Sequence, residues 1–573
     1  MLKNLDKNLL KSIFNSNEFK GWLLSRRWFG DKYSLSNLEF EVSFLYFENI
    51  SERIFLTVIE IKTTEYSKSY FLPLIYYKKI KEILEPSEDQ RNNILMLTEN
   101  TFSKKVVMNI DNVDKIFTLN LIEAEYCILF WRKMLFEKEV TELFPKLSLE
   151  LMLYTDQFKD EISMEKVQNL IEASLYPDRY SFSIEQLGKG NTTNLLFKLN
   201  LYNIKAPEKK PLSYVFKSYK VHRDNVEPSI LKVLVKNNFP NAPKIYGMIN
   251  VAGKETIGII EYVPTIGNLG DIYWKEVNNM IETIFKDLNK DFSEFQDKSA
   301  ISAAIKDFFD ETLKVSEEVG IYINKLHESL ILAGDINYNL EEIESNNYLN
   351  TYTENLKAML SSIQNDMTQY PENHFYNSPK INSILIDIED IIDKFRSEFK
   401  EDIIKVQPVH QDLHMEQILV NKSMDRYQFY FIDFEGDPQL TIERRKGKFP
   451  IEKDIASILR ALSYIKFNTF LSFIEKNFIK RNKFEVAEEI LYSFFFRKAA
   501  KNKYAVLEVV LRVLNVWEEK LITKIIKILN PNIILTNYFT IERALYELHY
   551  EILFRPREII IPILGLKEII DKY

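Results

Sequence analysis

The sequence predicts an α+β chain in two lobes, the first β-rich and the second mainly helical, with a small α+β cap ahead of both. Three observations carry this. Alternating apolar and polar runs crowd residues 38–121 and 181–263, helical spacing dominates 274–400, and TIGNLGD at 265–271, behind Pro264, is the most evident linker. These place the lobe boundary behind Pro264, with the two β-rich segments before it and the helical region after it.

In chain order, residues 9–24 carry apolar side chains at helical spacing, and RRWFGDK at 26–32 ends that helix in a basic aromatic turn. Arg27 and Trp28 read more readily as a helix end packed on a sheet than as a binding site. Strand-like runs at 38–47, 54–61, 69–76, 106–110 and 115–121 predict a small antiparallel sheet, and 122–158 returns to helix. Residues 181–202 then read as strand, turn, strand. Gly188 and Gly190 relieve the turn, and Asn191, Thr192, Thr193 and Asn194 put hydrogen-bond donors at its tip. Such a tip can fold over phosphates, although most G-x-G hairpins are only turns. Lys217 follows on the next strand with apolar neighbours on both sides, where a buried amine needs an anionic partner. Glu227 is the nearest helix-start candidate for that partner; Pro228 suits the first helical position equally well. A buried strand at 257–263 closes the lobe. In the helical region, His327 reads as a packed or capped residue.

The composition narrows the class. With 46% hydrophobic and 13% aromatic residues over 573 positions, the chain has the makings of a folded protein with a sizeable core. A formal charge of −8 and the lack of a long basic run argue against nucleic-acid binding. One cysteine, Cys127, allows no internal disulfide and reads as an apolar filler. The opening MLKNLDKNLLKSIF is interrupted by charges and resembles neither a signal peptide nor a membrane anchor. We expect a cytoplasmic protein without membrane association.

The stretch 406–438 organises the rest. It contains HQDLHMEQ at 410–417, a strand-like run, a polar turn at 421–426, a second run, and DFEGDP at 433–438. A hairpin there brings Gln417 and Asp433 to the same side of a small sheet. An aspartate near an attacking hydroxyl, with an amide and a second carboxylate for a metal, is the outline of a metal-phosphate site, because phosphoryl transfer needs positioning and charge neutralisation. His410 and His414 as a zinc pair is the weaker reading, since Pro408 opposes a regular helix and no third ligand lies nearby. Taken alone, DFEG could be a turn.

Two later features support the reading. Asp454 sits in the first turn of a helix over 452–465, where it is either a simple cap or an acceptor for the backbone of the Asp412 loop. Residues 540–550 put Arg543, Tyr546, Glu547 and Tyr550 on one helical face. A cation, a carboxylate and two phenols suit a polyhydroxylated ligand better than a core stripe, with surface ion pairs as the alternative.

RRWFGDK, GKGNTTN, EYVP, HQDLHMEQ, DFEGDP, ERR, KDIASILRAL and the ending ERALYELHYEILFRP with IPILGL together resemble the maltokinases. These are maltose 1-kinases of the aminoglycoside phosphotransferase-like, eukaryotic protein kinase-like superfamily. The resemblance covers nearly the whole chain and implies a bilobal protein-kinase-like fold with an N-terminal cap subdomain at 1–115, an intermediate subdomain with the upper lobe at 116–264, and a helical lobe carrying the catalytic and sugar sites at 265–573. It implies ATP and Mg2+ as cofactors and maltose as the sugar substrate, phosphorylated at C1, with the product feeding α-glucan synthesis. A trehalose-converting enzyme would be the source of maltose and a partner. Carried over, Asp412 is the catalytic base, and Gln417, Asp433 and Glu435 hold the metal. Lys217 and the turn from Gly188 to Thr193 hold ATP, whose adenine pairs with the backbone around Glu261 and Val263. His414, Arg543, Tyr546, Glu547 and Tyr550 face the sugar, with Asp454 and Glu227 as structural support. The sequence departs from the family where it has Gln411 and Glu416 in place of the usual Gly, and Glu558 in place of an aromatic residue. Alternatives are a glucosamine or other hexose-derivative kinase of the same fold, and a nucleotide-binding scaffold without turnover.

Overall fold

The computed structural model describes all residues except 1–6, 36–38, 65, 84–95, 111–112, 137–148, 189–192, 372–373, 424–425, 480–483, 498–504, 556–557 and 573. It divides into two compact units, Met1–Val235 with Pro243–Val263, and Lys236–Ala242 with Pro264–Tyr573. The α+β class is as expected, with antiparallel sheets filling the first unit and helices dominating the second.

In the first unit one sheet runs Glu41–Asn49, Ile54–Lys62, Leu74–Tyr77, Val113–Glu123, Thr101–Ile110, with Ser67–Phe71 also paired to Ile54–Lys62. The run expected at 69–76 is two strands because Pro73 has no N–H to give a ladder. Leu72 N instead donates to Thr57 O at 2.9 Å, and the Thr57 hydroxyl donates to Leu72 O.

The helix expected at 9–24 is also two, Lys7–Phe14 and Asn17–Leu24. Between them Ser16 is extended, and the Asn15 amide donates to Val42 O at 2.8 Å and accepts from Val42 N at 2.9 Å. A side chain that pairs with a strand backbone competes with helix propagation. Trp28, 1% exposed, is a core residue whose indole N–H donates to Glu123 Oε2 at 2.7 Å.

The second sheet runs Leu149–Leu153, Ile245–Val251, Lys254–Glu261, Leu212–Tyr219, Asn194–Asn203, Tyr180–Leu187. Its first strand corrects the helix expected over 122–158. Within that stretch only Ile128–Phe136 is α-helical among the described residues, and Leu149–Leu153 pairs antiparallel with Ile245–Val251. Five residues alternating leucine with other side chains suit a sheet edge better than a helix. Glu227–Lys236 forms the helix expected near Pro228.

In the second unit the expected linker is ordered. Gly267–Asn268 pairs with Ile418–Ser423, and Asn268 with Asp271 forms a capping box on the helix Leu269–Ile284. Ile418–Ser423 pairs in turn with Arg426–Phe431, the hairpin read from the sequence. Glu341–Glu344 and Ile403–Val406 form a two-stranded ladder inside the otherwise helical region. The helix Glu452–Phe478 is buried along most of its length, and Ala505–Leu529, Ile533–Phe554 and Ile560–Lys572 pack against it. No helix among the described residues is long and apolar enough to cross a membrane.

Gly247 sits at a bulge opposite Leu153, and a Cβ there would run into the Met152 carbonyl. Gly247→Ala therefore destabilises the first unit by about 1–3 kcal/mol. Gly30→Ala, where a Cβ meets nothing within 4 Å, leaves stability within ~0.5 kcal/mol. Paired denaturation curves check both.

Candidate active site

The HQDLH loop has no regular secondary structure of its own; it is held by one carboxylate. Asp454, fully buried in the first turn of Glu452–Phe478, accepts from His410 N at 2.9 Å and Gln411 N at 2.8 Å. His327 Nε2 completes the set at 3.0 Å from Asp454 Oδ2. Burial pushes the Asp454 pKa up, but the His327 hydrogen bond, the histidine charges and the His410 N–H outweigh it and hold the group below its ordinary value. The neighbouring Gln407 amide donates to His327 O at 2.7 Å. Of the two readings of Asp454, the structure selects the brace over the simple cap.

Gln411 has φ of 71°, in the left-handed region that favours glycine. Its side chain compensates by bonding to the DFEGDP loop. Nε2 donates to Arg445 O at 2.6 Å, and Oε1 accepts from Asp437 N at 3.3 Å. A Cβ on Gly436, whose φ is 74°, would come within 2.9 Å of Gln411 Oε1. Arg445, almost fully buried, staples the same loop through Glu435 O at 3.3 Å, Pro438 O at 2.7 Å and Leu440 O at 3.0 Å.

The hairpin ends meet as expected. Gln417 Nε2 donates to Asp433 Oδ2 at 3.1 Å, and Ile432 N donates to Gln417 O at 2.9 Å. Asp433 itself has φ of 65°. His410 Nε2 donates to Ile432 O at 2.8 Å, tying the two loops together. His414, its pKa pushed down by burial, lies with Nε2 3.3 Å from the Gln417 amide nitrogen and accepts from it as a neutral ring.

From the helix Ile533–Phe554, Arg543 reaches Asp412, with NH1 2.6 Å from Oδ1. A line of alternating charges leads away from this pair. Arg543 Nε lies 3.6 Å from Glu547 Oε1, and Glu547 Oε2 lies 2.9 Å from Arg460 Nε. Arg460, 2% exposed, makes its aligned hydrogen bond to Ser463 Oγ at 2.7 Å and rests on Gly565, where a Cβ would come within 2.6 Å of the guanidinium. Burial raises the Glu547 pKa, and the two arginines oppose the rise. Glu547 thus supports Arg543. Tyr546 and Tyr550 are stacked at 6.4 Å, with the Arg543 guanidinium 4.8 Å from the Tyr546 ring. Lys453 bridges Asp437 at 3.2 Å and Glu542 at 3.1 Å, joining the DFEGDP loop to the same helix.

In the first unit, Lys217 Nζ is 2.7 Å from Glu227 Oε2, both nearly fully buried. Tyr219 OH donates to the same oxygen at 2.7 Å. Gly188 has φ of 70° and Thr193 is exposed, while Gly190, Asn191 and Thr192 lie outside the described residues. The Glu261 carboxylate is tied to Lys244 N and Lys166 Nζ, each at 3.3 Å, and Val263 is buried.

Sequence reading missed Arg460, Arg445, Lys453 and Glu542 as supports. Arg460 had a signal, a cation on a helix otherwise apolar around it. The others depend on contacts between segments far apart in the chain.

Beyond Glu547 the carboxylates continue. Tyr464 OH lies 3.1 Å from Glu551 Oε1 and also contacts Glu558, while Glu551 Oε2 is buried with no hydrogen-bond partner among the described residues. Burial and then Glu558 push the Glu551 pKa up to about 8. A folded-state pKa above the unfolded value means that the stability this group contributes is full below pH ~4.5 and is lost as pH rises through ~8. Glu551→Gln removes that loss. Its melting temperature relative to the parent therefore climbs between pH 5 and pH 8, which a pH series of thermal melts reads directly.

No protein-family model matches the sequence, and no curated protein does. Among solved structures the chain is similar to a glucosamine kinase in complex with glucosamine, ADP and inorganic phosphate, at 10% identity over 97% of this chain and 99% of that one, with a TM-score of 0.48. It is similar to glucosamine kinase in crystal form B at 10% identity over 93% and 94%, TM-score 0.47. It also aligns with a Plasmodium vivax ethanolamine kinase at 14% identity over 75% and 93%, TM-score 0.29.

Proposed function

We propose that the protein is an ATP-dependent sugar kinase of bilobal protein-kinase-like fold, phosphorylating maltose at the anomeric C1 hydroxyl to give maltose 1-phosphate and ADP. What supports this most is the Asp412 loop, held by Asp454, beside the Gln417–Asp433 pair. Asp412 accepts the proton of the attacking hydroxyl. Arg543, with NH1 2.6 Å from Asp412 Oδ1, fixes the carboxylate's orientation. Tyr546 and Tyr550 offer aromatic faces to the sugar, and Lys217, steered by Glu227, offers its amine to the nucleotide phosphates. The donor set at Gln417, Asp433 and Glu435, an amide oxygen and two carboxylates, suits Mg2+, which supplies charge neutralisation when bound. Maltose would be delivered by a trehalose-converting enzyme.

A second acceptor, glucosamine or another amino sugar, is favoured by one observation. The helix that carries Arg543 also carries Glu547 and Glu551, and the unpartnered Glu551 oxygen would gain from a nearby ammonium.

A coupled ADP-release assay with ATP and magnesium separates the readings. Turnover with maltose, giving an acid-labile phosphate, supports the first; preference for glucosamine moves the acceptor and keeps the chemistry; no ADP from any sugar contradicts both. Asp412→Asn lowers turnover by about 10²–10⁴-fold with nucleotide binding retained. Turnover within a few-fold of the parent removes Asp412 from the role of base.

A further inference from the structure

The strand Leu212–Tyr219 is gripped from both faces, and the two grips involve consecutive residues. Lys217 and Tyr219 point to one side, where both engage Glu227. Ser218 and Lys220 point to the other side, where both engage Glu125. Lys220 Nζ lies 2.7 Å from Glu125 Oε1, and Ser218 Oγ donates to that oxygen at 3.0 Å. Lys220 also lies 3.5 Å from Glu123 Oε2, which accepts from the Trp28 indole at 2.7 Å, and its ammonium sits 4.7 Å from the Trp28 ring. Arg26 adds a second cation 3.7 Å from Glu123 Oε1.

Lys220, Glu123, Glu125 and Ser218 have no measurable exposure. Removing two carboxylates and an ammonium from water costs several kcal/mol per ion before their attraction offsets it. A hydrophobic filler would serve plain cohesion as well, so the arrangement calls for another reason. The backbone adds a third fastening at the same place: Phe71 N donates to Lys220 O at 2.8 Å, and His222 N donates to Ser69 O at 2.9 Å. The end of the strand is thereby stitched to the N-terminal sheet immediately beyond Lys217.

We propose that Lys220 and Glu125, with Trp28 behind them, are positioning residues for Lys217: the N-terminal subdomain fixes the strand end so that the amine three residues earlier is set for nucleotide phosphates. The proposal rests on the phosphate-binding reading of Lys217. It gives the RRWFGDK segment a role in nucleotide use through the contacts of Trp28 and Arg26 with Lys220 and Glu123. Alternation along a strand is what makes this coupling stiff, because a shift that frees Lys220 from Glu125 moves Lys217 against Glu227.

The test is steady-state kinetics of the full chain, varying ATP and sugar separately, on Lys217→Met, Lys220→Met and Trp28→Phe. Loss of folded enzyme lowers the apparent kcat and leaves KM in place, so the informative quantity is KM for ATP. We expect Lys220→Met to raise it by about tenfold or more with KM for the sugar unchanged. Trp28→Phe keeps an aromatic ring beside Lys220, loses the pyrrole part of the indole with its N–H to Glu123, and raises KM for ATP by about threefold; it carries the test if Lys220→Met does not fold. Lys217→Met with unchanged KM for ATP overturns the phosphate-binding reading and this inference with it. A Lys217→Met defect alongside KM for ATP within about twofold of the parent in the folded variants overturns this inference alone.

Discussion

Asp454 is the residue on which the arrangement in the second unit depends. A carboxylate with no exposure is tolerable only when its oxygens are satisfied, and three donors meet it: two successive backbone N–H groups and a histidine. Because two of those donors are the amides of His410 and Gln411, the cost of leaving Asp454 unpaired is transferred to the conformation of their loop. Gln411 accepts a left-handed backbone as part of that transfer, and its amide then spans to the DFEGDP loop. The loop carrying Asp412 is therefore set by a buried electrostatic requirement rather than by its own propensities.

The same logic recurs elsewhere. Arg460, Glu547 and Arg543 carry opposite charges in sequence towards Asp412, and each is stabilised by the next. Lys453 does the same between Asp437 and Glu542, and in the first unit Lys220 lies among Glu123, Glu125 and Trp28. Buried ion pairs add little net stability over apolar packing. What they supply is register, since a displaced partner leaves a desolvated charge. Gly565 shows how tightly this is built, being the only residue type that leaves room for the Arg460 guanidinium.

How much of this was legible follows from what each feature depends on. The hairpin could be read because two apolar runs flank a polar turn, and its pairing then forces Gln417 beside Asp433. Lys217 was legible as a buried amine needing an acid, and Glu227 proved to be that acid. Periodicity failed where side chains compete with backbone, as at Asn15, and where a five-residue run is short enough for either period, as at Leu149–Leu153. What Gln411 does was not legible, because its left-handed φ and the side-chain bonds that go with it depend on segments distant in the chain. One helical face shows that Arg543, Tyr546, Glu547 and Tyr550 are neighbours but not what lies opposite, so the Arg460 that pairs with Glu547 was not legible.

The central claim is that Asp454 sets the geometry in which Asp412 works, and Asp454→Asn tests it most directly. Asparagine keeps the volume but replaces one of the two accepting oxygens with an N–H2, which then faces the N–H of either His410 or Gln411. Measured as kcat in the ADP-release assay, with near-UV circular dichroism confirming a folded chain, the account predicts a loss of about 10²-fold or more. A folded Asp454→Asn protein retaining kcat within a few-fold of the parent would contradict it.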